Sequence, residues 1–184
     1  MKVLLIFLWS FVVPLGGNCF YIELYGTVVE HFSGDPMKGV QVRVLVDGAQ
    51  VFFKETKGNG KFKFVIDRET EYLVEFAKEY FVTKRVALNT KGIPPMSDIP
   101  FFEIELEMDL FPFVEGVDYS VLDEPMGMAT YDDRIRNMRW DNKYKKRQAA
   151  LYNKFWYQYE KAFNAPRSKK EKLPEQPEIW PPKE

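Results

Sequence analysis

Across residues 22–110 the apolar side chains fall on alternate positions in short runs broken by turn residues, a period of two that predicts strands with one buried face. Val40, Val42, Val44 and Val46 occupy every second position, so one face of that strand is all valine. Asp47-Gly48 supplies a turn, and a hairpin partner is expected over residues 49–56. After the turn Lys57-Gly58-Asn59-Gly60, Phe62, Phe64 and Ile66 alternate with Lys61, Lys63 and Val65. Tyr72, Val74 and Phe76 continue the scheme, with Glu71 and Glu75 facing out. The cleanest run is residues 103–110, where Ile104, Leu106, Met108 and Leu110 share one face and Glu103, Glu105, Glu107 and Asp109 the other. With residues 22–29 and 81–89 added, about seven strands are expected. This predicts an all-β fold, a single seven-stranded immunoglobulin- or transthyretin-like β-sandwich over residues 20–110.

The period changes after Leu110. Residues 111–136 carry Phe111, Phe113, Val117, Tyr119, Val121 and Leu122 without strand alternation and read as an extended segment lying along the sandwich. Residues 137–164 read as an amphipathic C-terminal α-helix: Asp141 suits an N-cap, the interior lacks Gly and Pro, and Pro166 ends the run. Tyr144, Leu151, Phe155 and Tyr159 recur at helical spacing, and Tyr152, Trp156 and Phe163 widen the stripe. Residues 165–184, rich in charge and with Pro174, Pro177, Pro181 and Pro182, read as a disordered tail.

The first 19 residues read as a signal peptide, with Lys2, an apolar run over residues 3–15, and then Gly16-Gly17-Asn18-Cys19. That run is shorter than the roughly 20 residues of a spanning helix, and cleavage is expected before Phe20 or after Gly17. Cys19 is the only cysteine, so the mature chain has no internal disulfide. Its place after an apolar run also admits a lipid anchor, although Asn18 departs from the small residue a lipobox carries there.

The net charge of −1 argues against nucleic acid as a partner held by overall positive charge. Its distribution is uneven. Residues 137–172 carry eleven Lys and Arg against Asp141, Glu160 and Glu171, whereas residues 20–136 carry thirteen basic and twenty-one acidic side chains. An acidic body therefore carries a basic C-terminal region.

Several stretches resemble the carboxypeptidase regulatory-like domain: Gly26-Thr27-Val28, Asp35-Pro36-Met37-Lys38-Gly39-Val40-Gln41-Val42, Thr56 with Gly60-Lys61-Phe62-Lys63-Phe64, Tyr72-Leu73-Val74, and Tyr80-Phe81-Val82-Thr83-Lys84. The resemblance covers residues 22–135 and extends to Glu75-Phe76-Ala77-Lys78, Val86-Ala87-Leu88-Asn89 and Val114-Glu115-Gly116-Val117-Asp118-Tyr119. It implies a transthyretin-like sandwich of the kind attached to secreted or outer-membrane proteins of Bacteroidota-type bacteria. Export to the periplasm, or to the periplasmic face of the outer membrane, is the location it implies. The chain departs from the family at Lys57, where an Asp more often follows the Thr, which puts a cation seat at that turn in doubt.

Chemistry is thinly represented. His31 is the only histidine, and Ser33, His31 and Asp35 crowd one loop where a relay triad lacks room, without a nucleophile elbow. Asp132-Asp133 and Asp123-Glu124 are adjacent carboxylates that point apart on an extended chain, unlike a glycosidase pair. The acidic row at residues 103–109 spaces its carboxylates about 7 Å apart, too far to share an ion, and suits pairing with Lys84 and Arg85. No catalytic residue, cofactor or metal is expected.

The helix is the informative feature. Lys143, Lys145, Lys146 and Arg147, with Tyr152, Phe155, Trp156 and Tyr159, form a candidate docking face for an envelope protein, an anionic polymer or an anionic surface. Equally, the aromatic stripe can pack on the protein's own sandwich and leave the cations as its solvated face. The expected function is a non-catalytic envelope binding or scaffold protein. The alternative is a carbohydrate- or peptidoglycan-binding module, for which exposed aromatic side chains on the sandwich loops are the discriminating feature.

Overall fold

The computed structural model describes residues 20–95 and 101–165, so the stretch read as a signal peptide, with Cys19, and nearly all of the proline-rich tail lie outside the described residues. In chain order the elements are β1 (Tyr21–Glu30), β2 (Gln41–Val46), β3 (Ala49–Glu55), β4 (Lys61–Ile66), β5 (Glu71–Ala77), β6 (Lys84–Asn89) and β7 (Phe101–Leu110). A short 3-10 turn (Ser120–Leu122), β8 (Gly127–Asp132), β9 (Asn137–Trp140) and α1 (Asn142–Phe163) follow.

Two sheets share one core. The smaller runs β4-β1-β7 and the larger β3-β2-β5-β6-β8-β9. Alternation decides what meets between them: Ile22, Leu24 and Val28 of β1 and Phe62, Phe64 and Ile66 of β4 face Val42, Val44, Val74, Phe76, Val86 and Leu88 of the larger sheet. β1 and β7 are parallel, in register from Tyr21 opposite Phe101 to Glu30 opposite Leu110. Their approach needs glycine at Gly26, where a Cβ would lie 1.7 Å from the Leu106 carbonyl oxygen. Gly60 holds φ at +67° and sits under the Val28 carbonyl, 2.4 Å from where a Cβ would be.

The described residues hold nine strands rather than the expected seven, and the two extra ones lie after Leu110. β8 extends the larger sheet by pairing parallel with β6, and β9 returns antiparallel to it. Residues 137–140, expected as the first turn of the helix, are therefore strand. Met138 and Trp140 show the reason: both lie on the core side of the hairpin, paired with Tyr131 and Ala129, with the period of two that a helix lacks. The 111–136 segment packs through Phe111, Val114 and Leu122, and its stretch Gly127–Asp132 is a sheet strand.

Candidate docking site at the hairpin and helix

The chain leaves β9 still bonded to the sheet, because the Asp141 N–H donates to the Met128 carbonyl at 2.8 Å. The Asp141 carboxylate then accepts the N–H groups of Lys143 and Tyr144 at 2.8 and 3.0 Å, the N-cap geometry. The Tyr144 amide, with the Lys143 amide and the nearby cations, holds this carboxyl below its ordinary value. Two hydroxyls anchor the helix sideways: Tyr144 donates to the Pro125 carbonyl at 2.6 Å and Tyr159 to the Pro112 carbonyl at 2.8 Å. Phe155 and Tyr159 close a second core over Val82, Phe111, Val114 and Leu122, separate from the sandwich interior. The Phe111 ring lies 5.0 Å from Trp156 and 4.8 Å from Tyr159.

A polar cluster borders this second core. The Lys84 side chain is 1% exposed, and its Nζ lies 3.1 Å from Asp109 Oδ2 and 4.7 Å from the centre of the Phe111 ring. His31 Nδ1 hydrogen-bonds the same carboxylate oxygen, while its ring sits edge-on to Trp156 at 4.9 Å. Burial lowers the Lys84 pKa, opposed by Asp109. Burial alone would raise the Asp109 carboxyl, but the Lys84 charge and the His31 hydrogen bond hold it below its usual range. Burial, with Asp109 nearby, pushes the Tyr152 hydroxyl up to about 12. Ser33 Oγ accepts the Asp35 N–H at 3.1 Å while His31 turns to Asp109, so the three loop residues do not assemble a triad.

Of the two basic partners expected for the acidic row, Lys84 pairs with it and Arg85 does not. Arg85 Nε donates to Glu75 Oε2 at 2.7 Å on the opposite face of the larger sheet, where Arg43 bonds the other oxygen. Burial, reinforced by Arg85, lowers the Arg43 pKa to about 10.

The candidate docking residues separate by face. Lys143, Lys145, Lys146 and Arg147 are exposed, and among the described residues none of the four makes an ion pair. Tyr152 and Trp156 are half-buried. Phe155 and Tyr159 are interior, 3% and 0% exposed, so they hold the helix down and are not available as contact residues. Leu151 is 57% exposed, because the buried arc centres on Tyr159, about 80° further round the helix.

Sequence reasoning passed over the hairpin. An open groove of about 570 Å³ runs between it and the start of α1, lined by Thr130, Asp132, Arg139, Trp140, Asn142 and Lys143 among others. Asp132 accepts from Arg134 Nε and Nη2 at 3.2 and 3.0 Å and from Arg139 Nη1 at 3.0 Å. The Arg134 hydrogen bonds, with those of Arg139, depress its carboxyl far below the usual range. Trp140 is 47% exposed and lays its ring against Gly127, where a Cβ would come within 2.9 Å of it. The alternation of Met138 and Trp140 after an Asp132-Asp133 turn was the available signal. Among the described residues no group of three or more His, Cys, Asp or Glu side chains is placed to hold a metal ion, and no helix is long and apolar enough to cross a membrane.

No family model and no curated protein matches the chain. Solved structures match parts of it: 3-chlorocatechol 1,2-dioxygenase from Rhodococcus opacus at 16% identity and a TM-score of 0.38, over 50% of this chain and 60% of that one. The 5-hydroxyisourate hydrolase of Klebsiella pneumoniae matches at 14% identity and a TM-score of 0.35, over 50% of this chain and 91% of its own. The pilus 2b backbone protein of group B streptococcus matches at 8% identity and a TM-score of 0.35, over 49% and 40%.

Proposed function

We propose that this protein is a non-catalytic binding or scaffold module, exported to a cell envelope, in which the sandwich carries α1 as a rigid arm and the exposed cations of the arm's first turns dock on an anionic partner. The observation that carries the reading is the division of the helix: Phe155 and Tyr159 are interior while Lys143, Lys145, Lys146 and Arg147 are exposed. Four cations in the first two turns oppose the helix dipole, so the helix does not gain stability from them. The Tyr144 and Tyr159 hydroxyls anchor the helix, so its backbone loses little freedom when the cations bind. The apolar run over residues 3–15 supports export.

Replacing Lys143, Lys145, Lys146 and Arg147 together by Gln should leave the melting temperature unchanged or slightly raised. Affinity for inorganic polyphosphate should fall at least tenfold near 0.1 M salt, where the screening length is about 10 Å, and the difference should close toward 1 M, where it is about 3 Å. Titration calorimetry of parent and variant reads both quantities. Equal affinity of the two proteins at low salt would remove the docking face from the function.

A further inference from the structure

We infer that the solvent face of α1 lies flat on an anionic phospholipid bilayer, with its lysines against the headgroups and the Tyr157 ring at the interface. The partner named here rests on the docking reading and narrows it to one surface of the helix.

Tyr159, 0% exposed, marks the side of the helix that faces the body. At about 100° per residue, Lys143, Lys146, Ala150, Lys154, Tyr157 and Lys161 all fall within about 40° of the opposite side. All six are exposed, and from Lys143 to Lys161 they span about 27 Å of helix. Lys145 does not join them: it falls about 40° from Tyr159, on the body side.

α1 carries six basic side chains and one acidic one, Glu160, which lies on a flank about 100° from Tyr159. A helix face that merely meets water gains from mixed signs, because Glu and Lys three or four positions apart support each other. This face has no acid, and among the described residues none of its four lysines makes an ion pair. Four cations aimed one way from an anchored helix suit a flat anionic surface. The body sets the orientation. Residues 20–136 carry thirteen basic and twenty-one acidic side chains, so such a surface repels the sandwich while it attracts the helix.

Tyr157 separates a bilayer from a soluble polyanion. It is 70% exposed, the most exposed large apolar side chain among the described residues, and it sits between Lys154 and Lys161 on the same face. A phenol ring has an apolar body and a polar tip, which suits the boundary between headgroups and acyl chains. The lysine stems act alike, covering apolar surface while each ammonium stays among the phosphates. Polyphosphate offers the ring nothing to bury against, and a flexible polymer reaches Lys145 as readily as Lys146.

The full chain is tested by flotation with vesicles of phosphatidylcholine alone and of phosphatidylcholine mixed with phosphatidylglycerol, and by calorimetry with inorganic polyphosphate. The parent should bind the mixed vesicles and not phosphatidylcholine alone. Lys146→Gln should lower vesicle affinity about fivefold, the share of one lysine near an anionic membrane, and Lys145→Gln less than about twofold. Tyr157→Ala should lower it at least about threefold, the share of a partly buried ring, and leave polyphosphate affinity within about twofold. All three positions are exposed, so these variants should melt with the parent. Equal losses for Lys145→Gln and Lys146→Gln, unchanged vesicle affinity for Tyr157→Ala, or equal binding to both vesicle types would each overturn the bilayer assignment. If polyphosphate binds and the mixed vesicles do not, the bilayer alone falls; if neither binds, the docking reading falls with it.

Discussion

Lys84 is an ammonium group held inside the protein, 1% exposed, with one side-chain carboxylate and one aromatic face for company. Removing the carboxylate leaves that charge uncompensated, whereas removing the charge does not. Asp109→Asn should therefore destabilise the fold more than Lys84→Met. Because the Asp109 side chain is 40% exposed, the cost should be about 1–2 kcal/mol, below the roughly 3–5 kcal/mol of a fully buried pair. Its pH dependence has a definite sign. A carboxyl held below its ordinary value adds stability above its unfolded pKa of about 3.9 and loses it as pH falls through the lower folded value. Urea unfolding should separate parent from Asp109→Asn at pH 7 and bring them together toward pH 2. At this scale the sequence was half legible. The acidic row announced a basic partner and Lys84 is one, but His31 meets Asp109, Phe111 and Trp156, partners 78 to 125 positions away that no local pattern could name.

The helix shows how far periodicity reaches for an element. The 3.6-residue stripe identified α1 and set Phe155 and Tyr159 on one face without deciding between core and contact; the structure puts both inside. The stripe also took in Leu151, although the arc that is buried depends on what lies beneath. Phe155→Ala should cost about 3–5 kcal/mol, and Leu151→Ala should stay within about 0.5 kcal/mol of the parent. Chemical denaturation compares them directly, and similar losses for both would mean that the helix packs in another rotation. β8 and β9 escaped notice because neither stabilises itself. Gly127, Met128, Ala129 and Thr130 make a weak strand pattern, and the segment is a strand because the edge of β6 offers it four parallel partners.

For the whole molecule, the two cores make a division that truncation can test. Every fully buried member of the sandwich core lies between Ile22 and Ala129, whereas Phe155 and Tyr159 supply the helix side of the second core. A chain ending at Arg136 should still melt cooperatively, but about 10 °C or more below the full protein, and should bind a hydrophobic dye through the uncovered Phe111, Val82 and Leu122. Loss of the cooperative transition would show instead that hairpin and helix complete the fold. What the sequence determined by itself was local: which side chains point inward in the strands before Phe111, where their turns fall, and that a capped amphipathic helix follows. Each of these depends on chemistry within a few residues, where backbone geometry sets the period. Only the tertiary structure decided that β1 pairs in parallel with β7, that β8 and β9 extend the larger sheet, and that a groove lies between their hairpin and the start of the helix. Those features join residues far apart in the chain, and their free energy comes from surfaces that exist only after folding brings them together.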